Sequence, residues 1–328
     1  MNENLIIVTT MKIILTSARN IVFLLATVLL PAVFLVPATA QERSNAEVDP
    51  FQSQYFHNRY LGDPAMAGVD PGLRLGAAYR QQFNGIPGAP VTQAFSADYN
   101  PGKRVGLGMI AYNDKAGLIN STRLALTYAY HLPVGAYGQV LHFGVSGAFA
   151  HHQLDPKGIV GDQSDPAIAE FNGKKNAFEV DYGMAYTDQH ITLQASLVNL
   201  VDYMKHFNNT TADVSTLYVA AAYRFTFNES GAVNSLEPEV AVRGIKNYNS
   251  IVDAGANLVM FHRILNIYGM YHSSGTFSTG VGLNYKDLLY LEGSYLSKPS
   301  GLADYTDGNF EIDLTITLFG KHQGAQPQ

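Results

Sequence analysis

Phe178-Glu179-Val180-Asp181-Tyr182-Gly183-Met184-Ala185-Tyr186 alternates without a break. In an extended chain Phe178, Val180, Tyr182, Met184 and Tyr186 fall on one face. Glu179, Asp181, Gly183 and Ala185 fall on the other. A helix would scatter both sets around its circumference. The stretch reads as a strand with an aromatic side and a small or acidic side.

The same period of two recurs from Gly72 onward. Near the C-terminus Phe310, Ile312, Leu314, Ile316 and Leu318 alternate with Glu311, Asp313, Thr315 and Thr317. Leu217, Val219, Ala221, Tyr223 and Phe225 alternate with Thr216, Ala220, Ala222 and Arg224. Phe277, Thr279, Val281, Leu283 and Tyr285 alternate with Ser278, Gly280, Gly282 and Asn284. The pattern predicts about fourteen strands. They begin near Leu73, Thr92, Arg104, Ser121, Gln139, Ala177, His190, Ser215, Asn234, Ser250, Leu265, Thr276, Leu288 and Asn309.

Alternation fits a soluble β-sandwich or a membrane barrel. In the first the apolar face is a core; in the second it meets lipid. The connections favour the barrel. One set is short: Asn100–Lys103, Pro133–Gly138, Asp188-Gln189, Asn228–Val233, Phe261–Ile264 and Lys286-Asp287. The other set holds the long ones, Gln81–Val91, Leu154–Asn176, Leu200–Val214 and Lys298–Gly308, with short exceptions near Tyr248 and Ser274. Short periplasmic turns and long outer loops are a barrel's asymmetry. Tyrosines at strand ends (Tyr79, Tyr99, Tyr112, Tyr130, Tyr186, Tyr223, Tyr285, Tyr295) suit the headgroup level, and with no Trp they serve there alone. The expected fold is all-β: a transmembrane antiparallel barrel over residues 73–319, with both termini in the periplasm.

Composition agrees. Charged residues are 15% of the 328, against roughly 25% in soluble domains. The net charge of −6 and the lack of a basic tract exclude nucleic acid as an expected partner. Without cysteine there are no disulfides, thiolate metal sites or N-terminal lipid anchor.

Residues 1–40 read as a cleavable signal peptide. Lys12 and Arg19 precede the apolar run Ile21–Val36, and Ala38-Thr39-Ala40 before Gln41 has the small-x-small form. Pro31 and Pro37 interrupt the run, which is short for an anchor helix. Met11 is an alternative start. Residues 320–328 read as a disordered tail.

No catalytic or cofactor motif stands out. His151-His152 point to opposite faces of a strand and do not readily share a metal ion. Asp155, Asp162 and Asp165 lack a calcium-loop spacing. Ser–His pairs of the outer-membrane phospholipase kind are available, but no motif selects one. The alternation turns Arg74, Arg80, Asp98, Arg123, Glu179, Asp181, Arg224, Glu292 and Asp313 inward, as an ion-pair network stiffening the lumen or as a selective channel lining. Arg224 is a candidate partner for Glu179 and Asp181.

Asp49–Gly68 is polar, aromatic and broken by proline, and fits neither period. It contains Asp49-Pro50, Ser53-Gln54-Tyr55, Asn58, Asp63-Pro64-Ala65 and Ala67-Gly68. These resemble the mature N-terminus of the PorP/SprF family, outer-membrane proteins of the Bacteroidota type IX secretion and gliding system. The resemblance continues through Leu73-Arg74, Tyr79–Phe83, Gly85–Pro90, Ser96–Tyr99, Val105–Gly108, Tyr112–Gly117 and Tyr128–Leu132, and loosens beyond. Asp63 stands where the family usually has Asn, and Phe83 where it usually has Trp. The resemblance implies a non-enzymatic protein without cofactor, embedded in outer-membrane lipid. Its implied partners are a secreted adhesin or surface enzyme with a C-terminal sorting domain, together with other type IX components, periplasmic ones included. Asp49–Gly68, within an N-terminal segment 41–72, is expected to plug the lumen from the periplasmic side. The runner-up is a transporter of hydrophobic molecules, like the outer-membrane fatty-acid transporters with their N-terminal hatch.

Overall fold

The computed structural model describes residues 55–86, 88–101, 104–135, 138–154, 176–204, 216–227, 231–245, 250–297 and 308–320. The strands are β1 (Gly72–Gln81), β2 (Val91–Asn100), β3 (Val105–Ala116), β4 (Ile119–Pro133), β5 (Val140–Leu154), β6 (Asn176–Thr187), β7 (Ile191–Val198), β8 (Thr216–Tyr223), β9 (Phe225–Thr226), β10 (Val233–Ile245), β11 (Ile251–Met260), β12 (Leu265–His272), β13 (Phe277–Tyr285), β14 (Leu289–Leu296) and β15 (Asn309–Leu318). β8 and β9 are one stave interrupted at Arg224, and both pair with β10.

Each stave runs antiparallel to its neighbours. β15 pairs with β1, and β10 with β11, so the sheet closes into a fourteen-stave barrel. Closure leaves no edge facing lipid along the paired staves, which is what a bilayer demands of a sheet. Every predicted start lies within two residues of the observed one. No helix among the described residues is long and apolar enough to cross a membrane.

The outward set is the predicted one. Phe178, Tyr182, Met184, Phe277, Val281, Leu283, Phe310 and Ile312 are exposed, while Glu179, Asp181, Ser278, Glu311 and Asp313 are buried. A hydrophobic exterior around a polar interior inverts a soluble core and matches a lipid-facing wall. One girdle residue differs. Tyr112 lies opposite Arg123 and shares its inward face, because it falls on the even-numbered, lumen side of β3.

At the short end the chain turns tightly. Asp188 N–H bonds Ile191 O at 2.9 Å, and Phe261–Arg263 and Lys286-Asp287 take left-handed backbone conformations suited to two-residue hairpins. At the other end lie the long connections, with one more short one, Gly117-Leu118, between β3 and β4. Residues 155–175, 205–215 and 298–307 of that end lie outside the described residues, as do 1–54 and 321–328.

Candidate functional site

Residues 55–70 meet lumen-facing side chains on every side. Arg59–Leu61 and Pro64–Met66 form single 3-10 turns. Asp63 caps the second: its Oδ1 accepts from Ala65 N–H at 2.9 Å, and Pro64 sits at the first helical position, where it loses no hydrogen bond. This explains the Asp-Pro-Ala run in local terms. Tyr60, Ala65, Met66 and Ala67 pack with Ala129 and Ala185 of the wall.

Hydrogen bonds fix the segment around the ring of strands. Tyr55 Oη donates to Asp253 on β11 at 2.9 Å, and Asn58 to Ser96 on β2 at 2.9 Å. Tyr60 Oη lies 2.7 Å from Thr127 Oγ1 on β4, and Ser196 on β7 donates to Gly62 O. Gly68 N–H donates to Asp98 on β2 at 3.0 Å, and Asn100 donates back to Gly68 O at 2.6 Å. Arg59 pairs with both Glu237 and Glu239 on β10. His57 stacks on Tyr290 with ring centroids 3.4 Å apart.

Two of the wall glycines that admit the segment form the seat of Asp63–Ala65. Gly144 and Gly183 face each other across β5 and β6. A Cβ on Gly183 would land on the Asp63 carboxylate, and one on Gly144 on the Pro64–Ala65 peptide. Here glycine serves close backbone approach rather than an unusual dihedral.

The predicted inward charges fall as follows. Arg123 binds Glu179 through Nε and Asp181 through Nη2, each at 2.6 Å, reaching past Ala148 and Ala150 of β5. Arg224 is half-exposed and meets Glu237 instead, at 2.7 Å, because it sits where β8 breaks near the short end. Arg74 bonds Asp70 and His57 O, tying β1 to the segment before it. Arg80 reaches Thr92, which donates to Asp114. Glu292 accepts from Tyr290 and lies opposite Asp313 on β15. Asp313 lines a small cavity with Asn58 and Ser96. Asp49, Pro50, Ser53 and Gln54 lie outside the described residues.

The sequence reading missed a second group of inward charges. Glu237, Glu239, Arg243 and Asp253 are buried in ion pairs, and the part-buried Arg59 joins the first two. Glu237, Glu239, Ala241 and Arg243 alternate with Pro238, Val240 and Val242, so the signal was the same period of two.

A Ser–His–Asp chain does form: His272 lies 2.6 Å from Asp253 and 3.0 Å from Ser278 Oγ. All three are buried. Asp253 is also gripped by Arg243 through two bonds and by Tyr55, so the chain behaves as a lining network. His151 and His152 bond Asn176 and Ser121 on opposite faces. No cluster of three or more metal-ligating residues exists among the described residues.

The family model of the type IX secretion system membrane protein PorP/SprF matches residues 44–316. The chain belongs to the PorP/SprF family. It is therefore a type IX secretion barrel of the outer membrane, and such a protein works with other components of that system. No curated protein matches this PorP/SprF chain in sequence. Among solved structures it is similar to the outer membrane protein Omp33 of Acinetobacter baumannii (8% identity, 76% of this chain and 100% of that one, TM-score 0.44). It is also similar to the toluene transporter TbuX of Ralstonia pickettii (11%, 79% and 93%, 0.46) and the toluene transporter TodX of P. putida (10%, 80% and 95%, 0.44).

Proposed function

We propose that this PorP/SprF protein is a plugged, non-enzymatic barrel that supports secretion of a large type IX protein or holds it at the cell surface. The supporting observation is the seating of Tyr55–Asp70, bonded to β1, β2, β4, β7, β10 and β11. A lumen filled and tied around its circumference leaves the work to the surfaces of the barrel. In this reading residues 1–40 are a signal peptide removed after Ala40, and the 41–72 segment ends as the plug. The tail 320–328 stays in the periplasm. The partners are a secreted adhesin or surface enzyme with a C-terminal sorting domain, and type IX components on the periplasmic side.

Transport of hydrophobic molecules is the weaker reading. The inward residues near the plug include the buried carboxylates Asp98, Glu179, Asp181, Glu237, Glu239 and Asp253, from which a greasy ligand gains nothing.

Deleting the gene tests this. A surface protein should appear in the medium while uptake of a labelled fatty acid stays unchanged. Retention of every type IX cargo together with a fall in uptake would favour the transporter. Mass spectrometry of the mature chain checks for Gln41 at its N-terminus.

A further inference from the structure

β10 turns Glu237 and Glu239 inward on one face, with side chains 5% and 1% exposed. Tyr218 Oη donates to Glu239 at 3.3 Å, and Arg224 Nε to Glu237 at 2.7 Å. Among the described residues, Arg224 is the one cation that the wall itself supplies to this carboxylate pair. One negative charge is left over, and Arg59 of the segment ahead of β1 neutralises it. A buried carboxylate without a counter-charge is costly, so the wall is built to receive a cation that it does not contain.

Arg59 fills this socket incompletely. It reaches both carboxylates through Nη2 alone, while its Nε turns back to Tyr55 O at 3.2 Å. A guanidinium is a planar fork of donors, and a fork entering squarely would give each carboxylate its own nitrogen. Arg59 is also removable. Tyr55–Leu61 meets the wall through side chains and joins no strand ladder, so it can withdraw without breaking the sheet.

The socket has an approach from the short-loop end. β8 pairs with β10 as far as Glu239, and β9 takes over at Leu236. Pairing is interrupted at Glu237-Pro238, where the proline has no N–H to offer. Arg224 stands at this break with its side chain 50% exposed. Water therefore reaches the cation on one side of Glu237, while Arg59 closes the other.

We propose that the Glu237–Glu239 socket is a guanidinium site, held here by Arg59 and taken, when Arg59 withdraws, by an arginine of a periplasmic protein. The inference rests on the periplasmic partner of the reading above. A lysine suits the socket less, because its ammonium is a compact, strongly hydrated point charge. A divalent ion suits it less again, since Arg224 and Tyr218 already occupy an oxygen of each carboxylate.

The first test uses the purified full-length barrel. Arg59→Ala removes Cγ, Cδ and the guanidinium, and ethylguanidinium returns those atoms from solution. It should raise the unfolding midpoint of Arg59→Ala saturably, at a concentration at least about tenfold below that needed of ethylammonium at equal ionic strength. Arg59→Ala with Glu239→Gln should show no saturable rise. If Arg59→Ala does not fold unaided, the yield of heat-shifted barrel on refolding replaces the midpoint. The second test is made in cells, with a photo-crosslinking residue at Thr226, exposed at the short-loop end, or at Ser274 in the opposite turn as control. Position 226 should capture a periplasmic protein that position 274 does not. That adduct should rise at least about threefold in Arg59→Ala, where the competing arginine is gone, and be lost in Glu237→Gln with Glu239→Gln. If ethylguanidinium acts no better than ethylammonium, the socket is not a guanidinium site and the proposal is wrong, while the anchoring reading still stands or falls by gene deletion. If ethylguanidinium binds but the adduct at 226 is indifferent to these variants, Arg59 is the permanent occupant and the proposal is equally overturned.

Discussion

Tyr55 and Asp253 stand 198 positions apart and share a buried hydrogen bond of 2.9 Å, which joins the segment ahead of β1 to β11. Asp253 keeps Arg243 and His272 when the phenol is removed. Tyr55→Phe should therefore cost only about 1 kcal/mol. Chemical unfolding should show a slightly lower midpoint, and limited proteolysis should cut near residue 55 sooner, with the barrel intact.

Arg59 is the harsher point. Among the described residues it alone forms an ion pair with Glu239, while Glu237 also has Arg224. Arg59→Ala leaves the buried Glu239 carboxylate without its ion-pair partner, a loss of about 3–5 kcal/mol. Arg59→Ala with Glu239→Gln should recover part of it. Unfolding midpoints of the two variants measure this, and equal midpoints would mean that Arg59 does not neutralise Glu239.

Asp63 lies in the segment ahead of β1, outside the wall strands. Burial raises its carboxyl from 3.8 to about 7, opposed by the Ala65 N–H bond. Its folded pKa lies above its unfolded one, so the folded state holds the proton through that interval. Seating should be firmest below about pH 4, weaken as pH rises toward 7 and level off above. Hydrogen exchange at 59–68 should slow at pH 5 relative to pH 8, after correction for intrinsic rates. Asp63→Asn, an uncharged group of the same shape, should remove the dependence.

How far the sequence carried the account depended on whether a feature was local. Strand starts and facing followed from the period of two, since Phe178 and Glu179 must part company in any strand. The ion-pair partners did not follow. Arg123 reaches Glu179 and Asp181 across an intervening strand, which only the register and the small Ala148 and Ala150 permit. Arg224 was misassigned for the same reason: its partner Glu237 is set by the break between β8 and β9. The Asp63-Pro64-Ala65 turn was visible locally, but its seat on Gly144 and Gly183 was not, because glycine in a strand has many uses.

That seat gives the most direct measurement: ion conductance of the purified barrel in planar bilayers. Gly183→Val should push against Asp63 and displace the segment, whereas Gly293→Val, with nothing near its Cβ, should change nothing. The account predicts no steady conductance for the wild type and for Gly293→Val, and stable open channels for Gly183→Val. A wild-type barrel that conducts steadily, at a level unchanged by Gly183→Val, would contradict it.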